Sequence, residues 1–186
     1  MLDLSRIDSG EMKIHPSSFD MTHTVVATLL TFEQSIDEKR IEIEGLEDAA
    51  PMQVYGDPDL LHQVVYNLVE NAVKFTNPGG TIKVLATDSV DRTTIMIENT
   101  GPGIAAEDLP MVFDRFYKGD KSRSRDKNGM GLGLYLVRTI LQLHGGNIQV
   151  SSVQGQFCRF EFYLPKPYEP PKLKDSQPKS KRAFPG

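Results

Sequence analysis

Two short brackets fix what the middle of this 186-residue chain can become: Asp57-Pro58 on one side, and Asn77-Pro78-Gly79-Gly80 on the other. Aspartate caps a helix start well, and proline is at home in the first helical turn. Asn-Pro-Gly-Gly cannot carry a helix onward. The sequence therefore predicts a helix from 58 to about Phe75. Directly behind it, TIKVLAT and TTIMIEN alternate apolar and polar residues across DSVDR, which predicts a hairpin. A long helix running into a hairpin points to a mixed α/β fold.

The remaining segments agree. LDLSRIDSG reads as the end of a helix, with Gly10 as its stop. A short extended piece follows around Lys13 to Pro16. FDMTHTVVATLLTFEQSIDEKR reads as one amphipathic helix with Asp20 as its cap, and IEIE (41–44) and QVYG (53–56) read as short strands. Residues 105–130 form a long irregular stretch. Gly131 to His144 is a predicted helix closed by Gly145-Gly146, and NIQVSS and FCRFEFYLP make a final hairpin. The expectation is a mixed sheet with helices on one face. Residues 1–12 read as a helix end and linker, 13–165 as one domain, and 166–186, rich in Pro and Lys, as a flexible tail.

The formal charge of −4 offers no basic face for nucleic acid. Cys158, the single cysteine, cannot close an internal disulfide, which fits a reducing compartment. No apolar run is long enough to span a bilayer.

Three constellations carry candidate chemistry. In NLVENAVKFT, Asn67, Asn71 and Lys74 fall four and three apart and share a helix face. Such a face is either an ordinary solvated surface or a magnesium–phosphate face. Magnesium takes hard oxygen ligands, an Asn carbonyl supplies one without adding negative charge, and a lysine offsets phosphate. Glu70, beside Asn71, is either a solvated helix acid or a group that orients water or accepts a proton. In NGMGLGL, Gly129, Gly131 and Gly133 precede a helix start, where free N–H groups can meet an anion. A flexible hinge would use the same residues. Between these lies DRFYKGDKSRSRDK, residues 114–127, with six Lys/Arg against three Asp. It is either solvated or a lid gathered around a triphosphate, with Phe113 and Phe116 expected to anchor its first end in the core.

In order, then, the chain carries NLVENAVKF, NTGPGI, FDRF, GMGLGL and a helix-ending HGG. This series resembles the catalytic ATP-binding domain of sensor histidine kinases, within the wider Bergerat-fold ATPases. The resemblance covers roughly Phe19 to Pro165, and LDLSRIDSG resembles the end of the second helix of the dimerisation and phosphoacceptor domain. It implies a two-layer α/β sandwich, the Bergerat ATP-binding fold, with ATP between the Asn67–Asn71 helix and the lid. By the same resemblance, Asn71 would ligate Mg2+, Asn67 would contact phosphate or metal, and Lys74 and Lys118 would contact phosphate, with Glu70 and Lys74 serving catalysis. Phe75, Asn99, Gly101, Gly103 and Ile104 would border the adenine. Gly129, Gly131, Leu132, Gly133 and Leu134, together with Phe116, would complete the nucleotide site. Partners implied are the phosphoacceptor domain of the same kinase and a response regulator, with a cytoplasmic, monomeric domain expected and no membrane contact.

Two departures stand out. Where the family usually has an aspartate that accepts from the adenine amino group, this chain has Asn99. An amide oxygen still accepts, but without charge assistance, at a cost of about 1 kcal/mol. A turned amide would donate and suit guanine. The expectation is weakened ATP binding with reduced discrimination against GTP. Nor does any of His15, His23, His62 or His144 sit in the pattern of a phosphoacceptor histidine. The chain is expected to bind ATP and to lack its own acceptor. Alternatives are a nucleotide-binding regulatory module that transfers nothing, or another Bergerat-fold ATPase.

Overall fold

The computed structural model describes residues 4–118 and 131–167. The bracketed helix, α4 (Pro58–Phe75), forms over the predicted span. Asp57 caps it with its carboxylate on the amides of Asp59 and Leu60, and Pro58 follows in the first turn. Its buried residues come in pairs one turn apart: Leu60 and Leu61, Val64 and Val65, Leu68 and Val69, Ala72 and Val73. That spacing gives one broad apolar face.

That face lies on a sheet. Among the described residues, strands β2 (Glu42–Glu44), β4 (Thr81–Asp88), β5 (Arg92–Thr100), β6 (Asn147–Val153) and β7 (Phe157–Pro165) form a five-stranded sheet ordered β2-β4-β5-β7-β6. β2 runs parallel to β4 and the other pairs are antiparallel, so the sheet is mixed as expected. Ile82 and Val84, Ile95 and Ile97, and Phe160, Phe162 and Leu164 alternate into the core. There they meet α4 and the helix α5 (Gly133–Leu143), which contributes Val137, Ile140 and Leu141. The opposite face carries Lys83, Glu98, Arg159 and Glu161, with Arg159 paired to Glu98. The result is a two-layer sandwich with its helices on one face.

The N-terminal region differs from the sequence prediction. The extended piece falls at β1 (Ser17–Asp20), which takes in Phe19 and pairs with β3 (Gln53–Gly56) as a separate two-stranded sheet. The single helix expected over 19–40 is two, α2 (Met21–Thr31) and α3 (Glu33–Lys39). Asp20 caps α2 as expected, with its carboxylate on the Thr22 amide. The chain leaves helical geometry at Phe32, where the ring packs 5.2 Å from that of Tyr66 on α4. Before them, α1 (Leu4–Asp8) ends at Gly10 in a left-handed turn.

Two ties hold the ends of α4. At its C-terminus, the Lys39 ammonium from α3 donates to the carbonyls of Val73, Lys74 and Thr76 at 2.7, 2.9 and 3.1 Å. A cation on the last carbonyls satisfies orphan acceptors and complements the helix dipole. Lys39→Met should lower stability by about 2 kcal/mol, read as a lower denaturation midpoint at unchanged slope. An unchanged midpoint would show that water replaces the ammonium at no cost.

At the N-terminus, the His144 ring accepts from the Asp57 amide through Nε2 at 3.0 Å, which leaves Nδ1 to donate to the Ile140 carbonyl at 2.7 Å. Gly56 makes room for it, since a Cβ there would lie 2.9 Å from the ring. The glycines after His144 close α5 in a Schellman arrangement, with Gly145 N–H on Gln142 and Gly146 N–H on Leu141. The histidine-glycine-glycine run is thus a fastening between two helices. Both ring nitrogens of His144 are thus engaged within the fold.

Candidate functional site

Past residue 65, the polar side of α4 turns away from the core. Asn67, Glu70, Asn71 and Lys74 stand there in the predicted spacing and, with Phe75, line one wall of a cavity of about 750 Å³. The opposite wall is the start of α5, with Gly131, Leu132, Gly133 and Leu134. α2 and α4 each begin with an aspartate cap, but α5 has no side-chain cap. A helix start without a side-chain cap leaves N–H groups that an anion can satisfy, and this one borders the cavity.

The two walls approach at Asn67. A Cβ on Gly133 would sit 3.6 Å from Asn67 Oδ1. Asn67 Nδ2 is buried and has no hydrogen-bond partner. A buried amide donor left unpaired costs about 1–3 kcal/mol. An acceptor oxygen arriving beside α5 would satisfy it.

The floor follows from strand phase. Ile95 and Ile97 face the core, so two residues on Asn99 faces the same side at the sheet's end, where it is buried. Its register partner on β7 is Cys158, in phase with Phe160, and all three line the cavity. Asn99 Nδ2 donates to the Thr100 carbonyl at 3.2 Å. This leaves Oδ1 as the end offered to a ligand. The amide is therefore set as an acceptor, and the turned arrangement that suits guanine would have to break this bond. Burial pushes the Cys158 thiol up to about 12, against a smaller downward pull from Ser152, so it stays protonated and unreactive.

Two glycines fit the loop to this floor. A Cβ on Gly101 would fall 2.4 Å from the Phe75 carbonyl oxygen. Gly103, in left-handed backbone, is as close to Val153. The loop is also stitched to the β6–β7 turn by Gly101 N–H on Gln156, Gly155 N–H on Pro102 and Ile104 N–H on Ser152 Oγ.

The structure brings Asn67, Glu70, Asn71, Lys74, Phe75, Asn99, Gly103, Ile104, Lys118, Gly131, Leu132, Gly133 and Leu134 to one cavity. Gly101 shapes it from behind. Gly129 lies outside the described residues, as do residues 119–127, most of the charged stretch 114–127.

Phe116 requires a correction. It does not anchor the segment in the core and does not line the cavity: its side chain is 64% exposed, and its backbone is left-handed with φ 63°. The anchor is Phe113, packed edge-on against Phe160, and Tyr117 takes the cavity position expected of Phe116. The sequence reading also missed Glu107, Asp108, Val112, Gln154, Cys158 and Phe160. Only the alternation CRFEF hinted at the last two.

Among the described residues no three His, Cys, Asp or Glu side chains gather as a metal cage. Oxygen-bearing side chains that line the cavity include Asn67, Glu70, Asn71, Asn99, Glu107 and Asp108.

Residues 56–168 match the family model described as histidine kinase-, DNA gyrase B-, and HSP90-like ATPase. Sensor protein SrrB of Staphylococcus aureus (strain NCTC 8325 / PS 47) is 44% identical over 167 residues, 90% of this chain and 28% of that protein. The chain thus spans little more than a quarter of that relative. The catalytic domain of histidine kinase ThkA superposes with a TM-score of 0.70 at 28% identity, covering 82% of this chain and 98% of that one. Full-length ShkA in complex with AMPPNP gives 0.72 at 26% identity, covering 87% and 33%.

Proposed function

From membership of the histidine kinase-, DNA gyrase B- and HSP90-like ATPase family, to which this chain belongs across residues 56–168, we propose that it holds magnesium-ATP and presents the γ-phosphoryl group to a histidine on the phosphoacceptor domain of a sensor kinase. One observation carries this reading. The unpaired amide of Asn67 and the uncapped start of α5 border the same cavity that has Asn99 at its floor. A ligand with an anionic end and a hydrogen-bonding base fits that arrangement. The AMPPNP complex of ShkA supports it.

The roles follow from position. Asn99 Oδ1 would accept from the adenine amino group, beside Phe75. Asn67 Nδ2 and the α5 amides would take phosphate oxygens, with Lys74 and Lys118 offsetting charge. Asn71 would give Mg2+ an oxygen, and the metal would supply neutralisation of the phosphates. Glu70, exposed at the rim, would take the proton from the incoming histidine as its nitrogen bonds the γ-phosphorus and ADP leaves. Catalysis of this kind is mostly positioning and charge. We further infer that a response-regulator aspartate receives the phosphoryl group next, and that the domain works in the cytoplasm, where ATP is found. No described helix is long and apolar enough to cross a membrane.

Transfer of labelled γ-phosphate to an added phosphoacceptor domain, but to no histidine of this chain alone, is the expected result. Nucleotide binding without any transfer would instead favour a regulatory module. For the base, Asn99→Asp should tighten ATP by about 1 kcal/mol, roughly fivefold, and leave GTP unchanged. Competition titration reads both, and equal affinities before and after the change would remove Asn99 from base recognition.

A further inference from the structure

Arg115 is not used by the site as described, yet it joins three elements. Its guanidinium pairs with Asp8 at the end of α1, through Nη2 and Oδ1. The same nitrogen bonds the Tyr135 hydroxyl at 3.3 Å, and the guanidinium carbon stands 4.8 Å from the centre of the Tyr135 ring. Tyr135 lies in the first turn of α5, one residue beyond Leu134 of the cavity wall. Two and three residues after Arg115 come Tyr117 and Lys118, which line the facing side. The adjoining Phe116 amide donates to the Gly131 carbonyl at 3.0 Å, and this bond ties the two sides together. Phe116 holds left-handed backbone to do so, a conformation that costs a bulky residue energy and persists only where neighbours impose it.

We propose that Arg115 is a positioning residue through which α1 and the nucleotide cavity sense one another. Asp8 holds the guanidinium against Tyr135. The guanidinium in turn sets the first turn of α5 relative to Tyr117 and Lys118. A ligand that needs that spacing binds more tightly when Asp8 is engaged, and by linkage it strengthens the Asp8 contact to the same degree. The coupling rests on the cavity being a nucleotide site. On the proposed function, α1 is the end of the phosphoacceptor-domain helix. The contact then gives that helix a direct reading of whether nucleotide is bound.

The pair is about half exposed, so the coupling is modest. Asp8→Asn and Arg115→Met should each weaken ATP roughly two- to fivefold by calorimetry, and the double variant no more than either alone. Asp8→Glu should restore the affinity. In the wild type, ATP should slow hydrogen exchange at Ser9, Gly10 and Glu11, whose amides bond back to α1. Asp8→Asn should abolish that slowing, a readout that a merely structural role would not move. Overturning results are ATP affinity unmoved by both substitutions, additive losses, or exchange at 9–11 indifferent to ATP. If the wild type binds ATP while the variants behave so, the coupling fails and the ATP reading stands. If the wild type binds none, both fail.

Discussion

Asn71→Ala should remove most magnesium-assisted ATP binding while leaving the melting temperature of the free protein where it was. Asn71 belongs to the polar side of α4, partly exposed at the cavity, and takes no part in the apolar face that packs on the sheet. On the proposed role, losing the oxygen that meets the cation costs about 2–3 kcal/mol, roughly 30- to 150-fold in dissociation constant. Titration calorimetry with and without magnesium separates this loss from a general one. The variant should bind ATP almost equally in both conditions, whereas the wild type should gain from the metal. A variant that keeps the magnesium dependence would show that the metal rests on other groups, Glu70 first among them.

Gly101→Ala should be as damaging for a different reason. Its Cβ would lie 2.4 Å from the Phe75 carbonyl, and ordinary contact begins near 3.4 Å. The loop or the end of α4 must move by about 1 Å. Neither is free, because Gly101 N–H is bonded to Gln156 and the last carbonyls of α4 are held by Lys39. Crowding of this kind costs about 1–3 kcal/mol of stability. On the proposed function, a displacement of about 1 Å between Phe75 and Asn99 should lower phosphoryl transfer by roughly 10²-fold. A lower denaturation midpoint together with that loss is the expected pair of results. Full transfer activity in the alanine variant would mean that the loop adjusts without disturbing the base site.

What the sequence revealed depended on how local each signal was. Asn67, Asn71 and Lys74 were legible because helical spacing places them together whatever surrounds them, and Asp57-Pro58 marked the helix start by its own chemistry. Phe116 misled because FDRF was read as two inward rings. The chain has left helical geometry after the short 3₁₀ turn at Leu109–Met111, and the second ring points outward. Cys158 and Gln154 were missed because they reach the cavity only through the pairing of β5 with β7 and the docking of the β6–β7 turn on the glycine loop. Those contacts join residues about fifty or more positions apart. The Asn99 substitution was visible in the sequence, but the bond to Thr100 that sets its direction was not.

The bond between His144 and the Asp57 amide also has a mechanical meaning. α4 and α5 run in opposite directions, pinned together near the start of α4 by an imidazole and meeting again at the cavity, where Asn67 faces Gly133. The imidazole then acts as a fulcrum: a tilt of one helix about it would be carried along the other to the cavity wall, so a change at His144 would be felt at Asn67 and Gly133 although it touches neither.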